Sequence, residues 1–147
     1  MSITELIRPI ETTVTASDPL TYAAKHLSRH DYVTVVHSAQ DRTPRGIITR
    51  GDLEKQKLAH PQSWPLKECG SVLRGANRIL SPEAEVEDVV EVLTTSGVRP
   101  LLVGANGKPA GVLEPTSIFQ WCAEHSPAAL EKLAYLVSAE ERSRARG

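Results

Sequence analysis

Two stretches of the chain carry the same apolar stripe. Leu20, Ala23, Ala24 and Leu27 stand at i, i+3, i+4 and i+7, and Val86, Val89, Val90 and Leu93 repeat that spacing in the second half. Such positions gather on one face of a 3.6-residue helix, so each stretch predicts an amphipathic helix with one buried side. The entrances match too. Val14-Thr15-Ala16-Ser17-Asp18-Pro19 leads into the first stripe and Ile79-Leu80-Ser81-Pro82-Glu83 into the second. In both, a short extended apolar run meets the Ser, acidic and Pro residues that start helices. The exits match as well. Val33-Thr34-Val35-Val36 and Gly46-Ile47-Ile48-Thr49 follow the first helix; Pro100-Leu101-Leu102-Val103, Asn106-Gly107 and Gly111-Val112-Leu113 follow the second. Short apolar runs around a turn predict a strand pair, and Asn-Gly suits the turn because both residues tolerate positive φ. A further helix is expected after each pair, at about 52–59 and 116–125.

The order strand–helix–strand–strand–helix therefore occurs twice, and the expected class is α/β (α+β). The boundaries read as 5–60 for the first repeat, 61–72 for a linker marked by Pro61, Pro65 and Gly70, and 73–125 for the second repeat. Neither repeat is long enough to build a secure core alone, whereas two packed sheet to sheet cover each other. Residues 126–147 form a last helix and a basic tail. Ser126-Pro127 starts the helix, Leu130, Leu133, Leu136 and Val137 form its stripe, and Glu140 can pair with Arg144 at i, i+4. An exposed stripe invites aggregation, so this helix is expected to wrap the dimer or dock on a partner, with docking on its own protein favoured, and Trp121 is expected in the core or at a dimer interface and Trp64 packed across a sheet end.

Composition narrows the function. Among 147 residues, 17 Lys and Arg face 18 Asp and Glu, for a net charge of -1, which lacks the basic footprint of a nucleic-acid binder. Aromatic residues make up 4%, too few for a base-stacking platform. No apolar run approaches membrane-spanning length and no signal-peptide pattern opens the chain, so a cytoplasmic protein is expected. Cys69 and Cys122 are expected to be small buried apolar residues. His26 and His30 stand at i, i+4 without a third ligand of matching spacing, and His37, His60 and His125 lack partners. No nucleophile elbow, metalloprotease or phosphate-loop motif is present, so no enzyme is expected and no metal or cofactor is called for.

The run Gly46-Ile47-Ile48-Thr49-Arg50-Gly51-Asp52-Leu53, set in a duplicated β-α-β-β-α order, resembles the CBS domain and its nucleotide-binding motif Gly-hydrophobic-hydrophobic-Thr-x-x-Asp. The resemblance covers roughly residues 5–125 and implies a stand-alone pair of CBS repeats (a Bateman module) with pseudo-twofold symmetry. The second copy, Gly111-Val112-Leu113-Glu114-Pro115-Thr116-Ser117-Ile118, has Glu114 for the Thr and Ser117 for the Asp. The motif has a physical logic. Free amides at a strand–helix junction suit an anion, and a Thr hydroxyl adds a donor. Gly51 lets a ligand approach the backbone. An ionised Asp52 accepts from ribose hydroxyls. Glu114 would repel a phosphate, so one competent cleft is expected.

By the same resemblance, Gly46, Ile48, Thr49, Arg50, Gly51 and Asp52 face Arg78, Ile79, Val98, Arg99 and Pro100 of the other repeat across a shared cleft. Arg99 or Arg50 would supply phosphate charge. The ligand implied is an adenosine compound, AMP, ADP, ATP or S-adenosylmethionine; the partners implied are a second copy in a homodimer and an effector protein. Thr49 and Asp52 also suit a plain helix cap ahead of Leu53, which leaves a ligand-free interaction module as the alternative.

Overall fold

A computed structural model describes residues 3–73, 79–105 and 108–135. The first half runs β1 (Thr13–Thr15), α1 (Leu20–Leu27), β2 (Tyr32–Val36), β3 (Pro44–Thr49) and α2 (Arg50–Ala59). β1 pairs with β2 in parallel and β2 with β3 antiparallel, giving the sheet order β1-β2-β3. The second half runs α3 (Val86–Ser96), β4 (Leu101–Ala105), β5 (Lys108–Leu113) and α4 (Pro115–His125), with β4 and β5 antiparallel. The strand expected at 79–80 is a single parallel bridge from Leu80 to Val103. Leu80 donates to the Leu102 carbonyl at 2.9 Å and accepts from the Gly104 amide at 2.9 Å. Ser81-Pro82 follows at once, and proline cannot donate to a ladder, which stops the strand there. The same order of elements thus occurs twice. The Asn106-Gly107 turn lies outside the described residues.

The predicted stripes face inward. α1 buries Leu20, Ala23 and Leu27 with Val14, Val33, Val35, Ile48 and Leu53. Val86, Val89, Val90 and Leu93 of α3 join Leu113, Ile118 and Cys122 in a second cluster. A third cluster, Ile47, Leu102 and Val112 with Ile10, Tyr32 and Ile79 against it, lies between the two sheets and joins the halves. Period-2 alternation decides the sharing: Ile48 turns to its own helices and Ile47 to the other sheet.

Two irregular segments pack on the halves. Residues 3–8 lie on the second half. Ile3 is buried in the α3–α4 cluster and donates from its amide to the Ala84 carbonyl at 3.0 Å. Arg8 and Val112 exchange backbone hydrogen bonds at 2.8 Å each, and a Cβ on Gly111 would stand 2.4 Å from Ile7 Cγ2 and 2.9 Å from the Arg8 carbonyl oxygen. Only glycine lets the segment lie that close. Residues 61–73 run along the first half in 3-10 turns at Trp64–Leu66 and Cys69–Val72. Cys69 is buried there, with Trp64 packed beside that cluster. Burial pushes the Cys69 thiol up to about 11, so it is a protonated, inert packing group at neutral pH. Cys122 is also buried, and burial raises its pKa.

Residues 127–135 form a fifth helix, α5, docked on the second half by Leu133, which is fully buried, with Ala129 and Leu130 beside it. The remaining stripe positions Leu136 and Val137, and the Glu140–Arg144 pair, lie outside the described residues. Trp121 of α4 packs against the same cluster and stacks on His125 at 4.8 Å between ring centroids. No helix among the described residues is long and apolar enough to cross a membrane.

Candidate functional site between the two halves

β3 delivers Thr49 to the start of α2, where extended dihedrals (φ -99°, ψ 169°) make it the N-cap. The Asp52 amide donates to Thr49 Oγ1 at 3.2 Å, and the Thr49 amide donates to Asp52 Oδ2 at 3.0 Å. This reciprocal capping box satisfies two helix-start amides. The cap reading of this pair is therefore physically realised.

A group from the other half completes the site. Arg99 Nη2 donates to Asp52 Oδ2 at 3.0 Å and to the Ile47 carbonyl at 3.0 Å, while Nη1 lies 3.4 Å from Asp52 Oδ1. The side chains of Arg99 and Asp52 are only 20% and 13% exposed, so water screens this pair less than a surface bridge. Arg99 reaches the site because α3 ends at Gly97, whose φ of 93° and ψ of 159° turn the chain toward the first half. That region is essentially closed to residues with a Cβ. Gly97→Ala should therefore cost about 1–2 kcal/mol and lower the melting temperature by roughly 3–8 °C. A calorimetric scan checks this; an unchanged melting temperature would mean the turn is not constrained.

The other expected cleft residues divide. Ile79 lies against the inter-sheet cluster, and Val98 and Pro100 flank Arg99, half-buried. Gly46 is buried in β3 and Ile48 in the first-half core, so these two shape the strand from within. Gly51 is exposed, and a Cβ there would meet only Thr49 Oγ1 at 3.7 Å, so the protein leaves open space at this position. Arg50 turns the other way: its Nε donates to the Leu27 carbonyl at 2.7 Å and its Nη1 lies 3.3 Å from Asp31 Oδ1. It braces the end of α1, and among the described residues Arg99 is the guanidinium at Asp52. Arg78 lies outside the described residues. The Ile47 carbonyl, which holds Arg99 beside Asp52, was not singled out from sequence, because side-chain patterns do not mark backbone acceptors.

The counterpart junction in the second half differs. Glu114 caps α4 without a side-chain cap bond, and the Ser117 amide donates to the Glu114 carbonyl at 3.1 Å. The Glu114 carboxylate instead pairs with Arg8 Nε at 2.9 Å. Tyr32 stands nearby: burial first, then the charges of Glu114 and Glu11, raise its pKa. A phosphate there would meet a carboxylate already holding its cation. Elsewhere, a hollow of about 500 Å³ beside Ile79 and Leu80 is lined by Asp88 and Glu91 of α3, whose charge also disfavours an anion.

The CBS-domain family model matches residues 3–57, the stretch that carries Thr49 and Asp52. The first half thus matches the CBS domain, and the fold of the whole chain is that of solved CBS-domain structures. Solved CBS-domain proteins share its fold across both halves. The CBS-domain protein ATU1752 from Agrobacterium tumefaciens superposes with a TM-score of 0.72 at 19% identity, over 82% of this chain and 98% of that one. TA0289 from Thermoplasma acidophilum, a conserved CBS-domain protein of unknown function, gives 0.75 at 14% identity, over 94% and 76%. CBSX2, solved in complex with AMP, gives 0.65 at 20% identity, over 84% and 96%. At such identities the likeness concerns the fold. No curated protein sequence matches the chain.

Proposed function

We propose that this CBS pair is a regulatory, non-catalytic protein that binds an adenosine-containing ligand, AMP, ADP, ATP or S-adenosylmethionine, at Thr49, Asp52 and Arg99. The observation that carries the reading is the meeting of Thr49-x-x-Asp52 from one half with Arg99 from the other. A carboxylate suits two ribose hydroxyls, a hydroxyl and exposed helix-start backbone at Gly51 suit a phosphate, and a guanidinium suits its charge. AMP in CBSX2, a protein of the same fold, supports the ligand class. The Glu114–Arg8 pair disfavours a second anion, so one ligand per chain is expected.

A ligand touching both halves shifts their arrangement by its differential affinity for the two states. An effector protein reads that shift. The reading includes a cytoplasmic homodimer formed through the helices, for which Tyr22 on α1 and Leu58 on α2, 50% and 80% exposed, offer apolar surface. A second reading, a ligand-free interaction module, is favoured by one specific feature: Asp52 already has its cap and its cation.

A thermal-shift titration against AMP, ADP, ATP, S-adenosylmethionine and NADH separates the two. Ligand at ~100 times its dissociation constant adds about 2.7 kcal/mol, a rise of several degrees. A saturable rise with an adenosine compound supports the sensor; no rise with any compound sinks it in favour of the interaction module.

A further inference from the structure

The Asp52 carboxylate faces the same cleft as Arg99, and the two are already joined. Arg99 spends one nitrogen on both Asp52 Oδ2 and the Ile47 carbonyl, and directs its second at Oδ1. Thr49, from its own backbone, holds Oδ2 as well. A ribose that is to use this carboxylate must find it engaged on both oxygens. The Thr49 contact belongs to the helix and can persist beside a ligand, since a carboxylate offers about four lone-pair directions. Among the described contacts of Asp52, the Arg99 contact comes from the other half, and a ligand must displace it to reach both oxygens. Resting on the reading of this cleft as an adenosine site, we infer that Arg99 is an internal competitor for the ribose position, and that this competition makes the site selective for phosphorylated adenosine over the bare nucleoside.

The chemistry is a matter of what replaces the broken pair. An uncharged nucleoside gains Asp52 but leaves a four-fifths-buried guanidinium without its anion, a costly exchange. A nucleotide brings its own anion, and its phosphate gives the displaced guanidinium a new bidentate partner. The exchange also reports between the halves, because Asp52 sits at the start of α2 and Arg99 follows the turn that ends α3. Opening the pair removes one of the polar ties across the inter-sheet cluster, so ligand and ion pair compete for a single contact between the two repeats.

Titration calorimetry of wild type and Arg99→Ala with AMP and with adenosine tests the inference. Wild type should prefer AMP at least tenfold. In Arg99→Ala the adenosine affinity should rise about tenfold, because the competitor is gone, while the AMP affinity falls, so the preference shrinks to about twofold or less. Adenosine binding that is unchanged or weaker in Arg99→Ala, with wild type still binding AMP, overturns the competition and leaves the adenosine site standing. Wild type binding adenosine as tightly as AMP overturns it without any variant, which covers the case of a variant that does not fold. Wild type binding neither compound removes the adenosine site itself, and the inference with it.

Discussion

Asp52→Ala is expected to weaken nucleotide binding by roughly ten- to a hundredfold and to lower folding stability by about 2–4 kcal/mol. The two effects have separate origins. Truncation removes the acceptor for the Thr49 amide, opening one side of the capping box, and it strands a guanidinium that is 20% exposed. Loss of a cap costs about 1 kcal/mol, and breaking one partner out of a well-buried pair costs about 3–5; Arg99 is less buried than that and keeps the Ile47 carbonyl, which sets the lower sum. On the binding side, two charge-assisted hydrogen bonds to ribose are worth about 2–4 kcal/mol. The Arg99 pair that must open first offsets part of it. Urea denaturation reads the stability, and calorimetry at a temperature where the variant is folded reads the affinity. A variant that binds AMP like wild type places the ligand elsewhere.

Leu133→Ala should cost about 2–5 kcal/mol, the range for emptying a fully buried leucine site. Leu133 comes from α5, yet it is sealed in the same cluster as Val89, Leu93 and Ile118. The helix is therefore part of the second half's core. Leu133 belongs to the second-half cluster and not to the inter-sheet one, so AMP affinity should be unchanged wherever the variant is folded. A loss below about 0.5 kcal/mol in urea denaturation would mean that α5 is not docked on its own chain.

The readable parts of this fold are those with a period. The stripes of α1 and α3 and the strand pair β2–β3 follow from spacing alone, because each element buries one face of a regular repeat. The parts that escape lack one. Residues 3–8 and 61–73 are short, irregular and rich in local hydrogen bonds, and single side chains, Ile3 and Cys69, fix where they pack. No periodicity carries that information. The site is split in the same way. Thr49 and Asp52 are three residues apart, within reach of motif reading. Arg99 lies far away in the chain, and Arg50, a chemically identical candidate beside the motif, points to the Leu27 carbonyl instead. Only the packing of Ile47 and Ile79 between the sheets decides between the two arginines. Glu114, legible as a departure from the motif, gains its partner Arg8 from a segment whose path across the second half the sequence did not announce.

A crystal structure of the protein grown with saturating AMP tests the central claim most directly. The account predicts one nucleotide per chain in the cleft between the halves, its ribose hydroxyls on Asp52, Arg99 turned from Asp52 to the phosphate, and the Glu114–Arg8 junction without a nucleotide. An intact Arg99–Asp52 pair with no nucleotide beside it, or AMP bound at Glu114 instead, would contradict it.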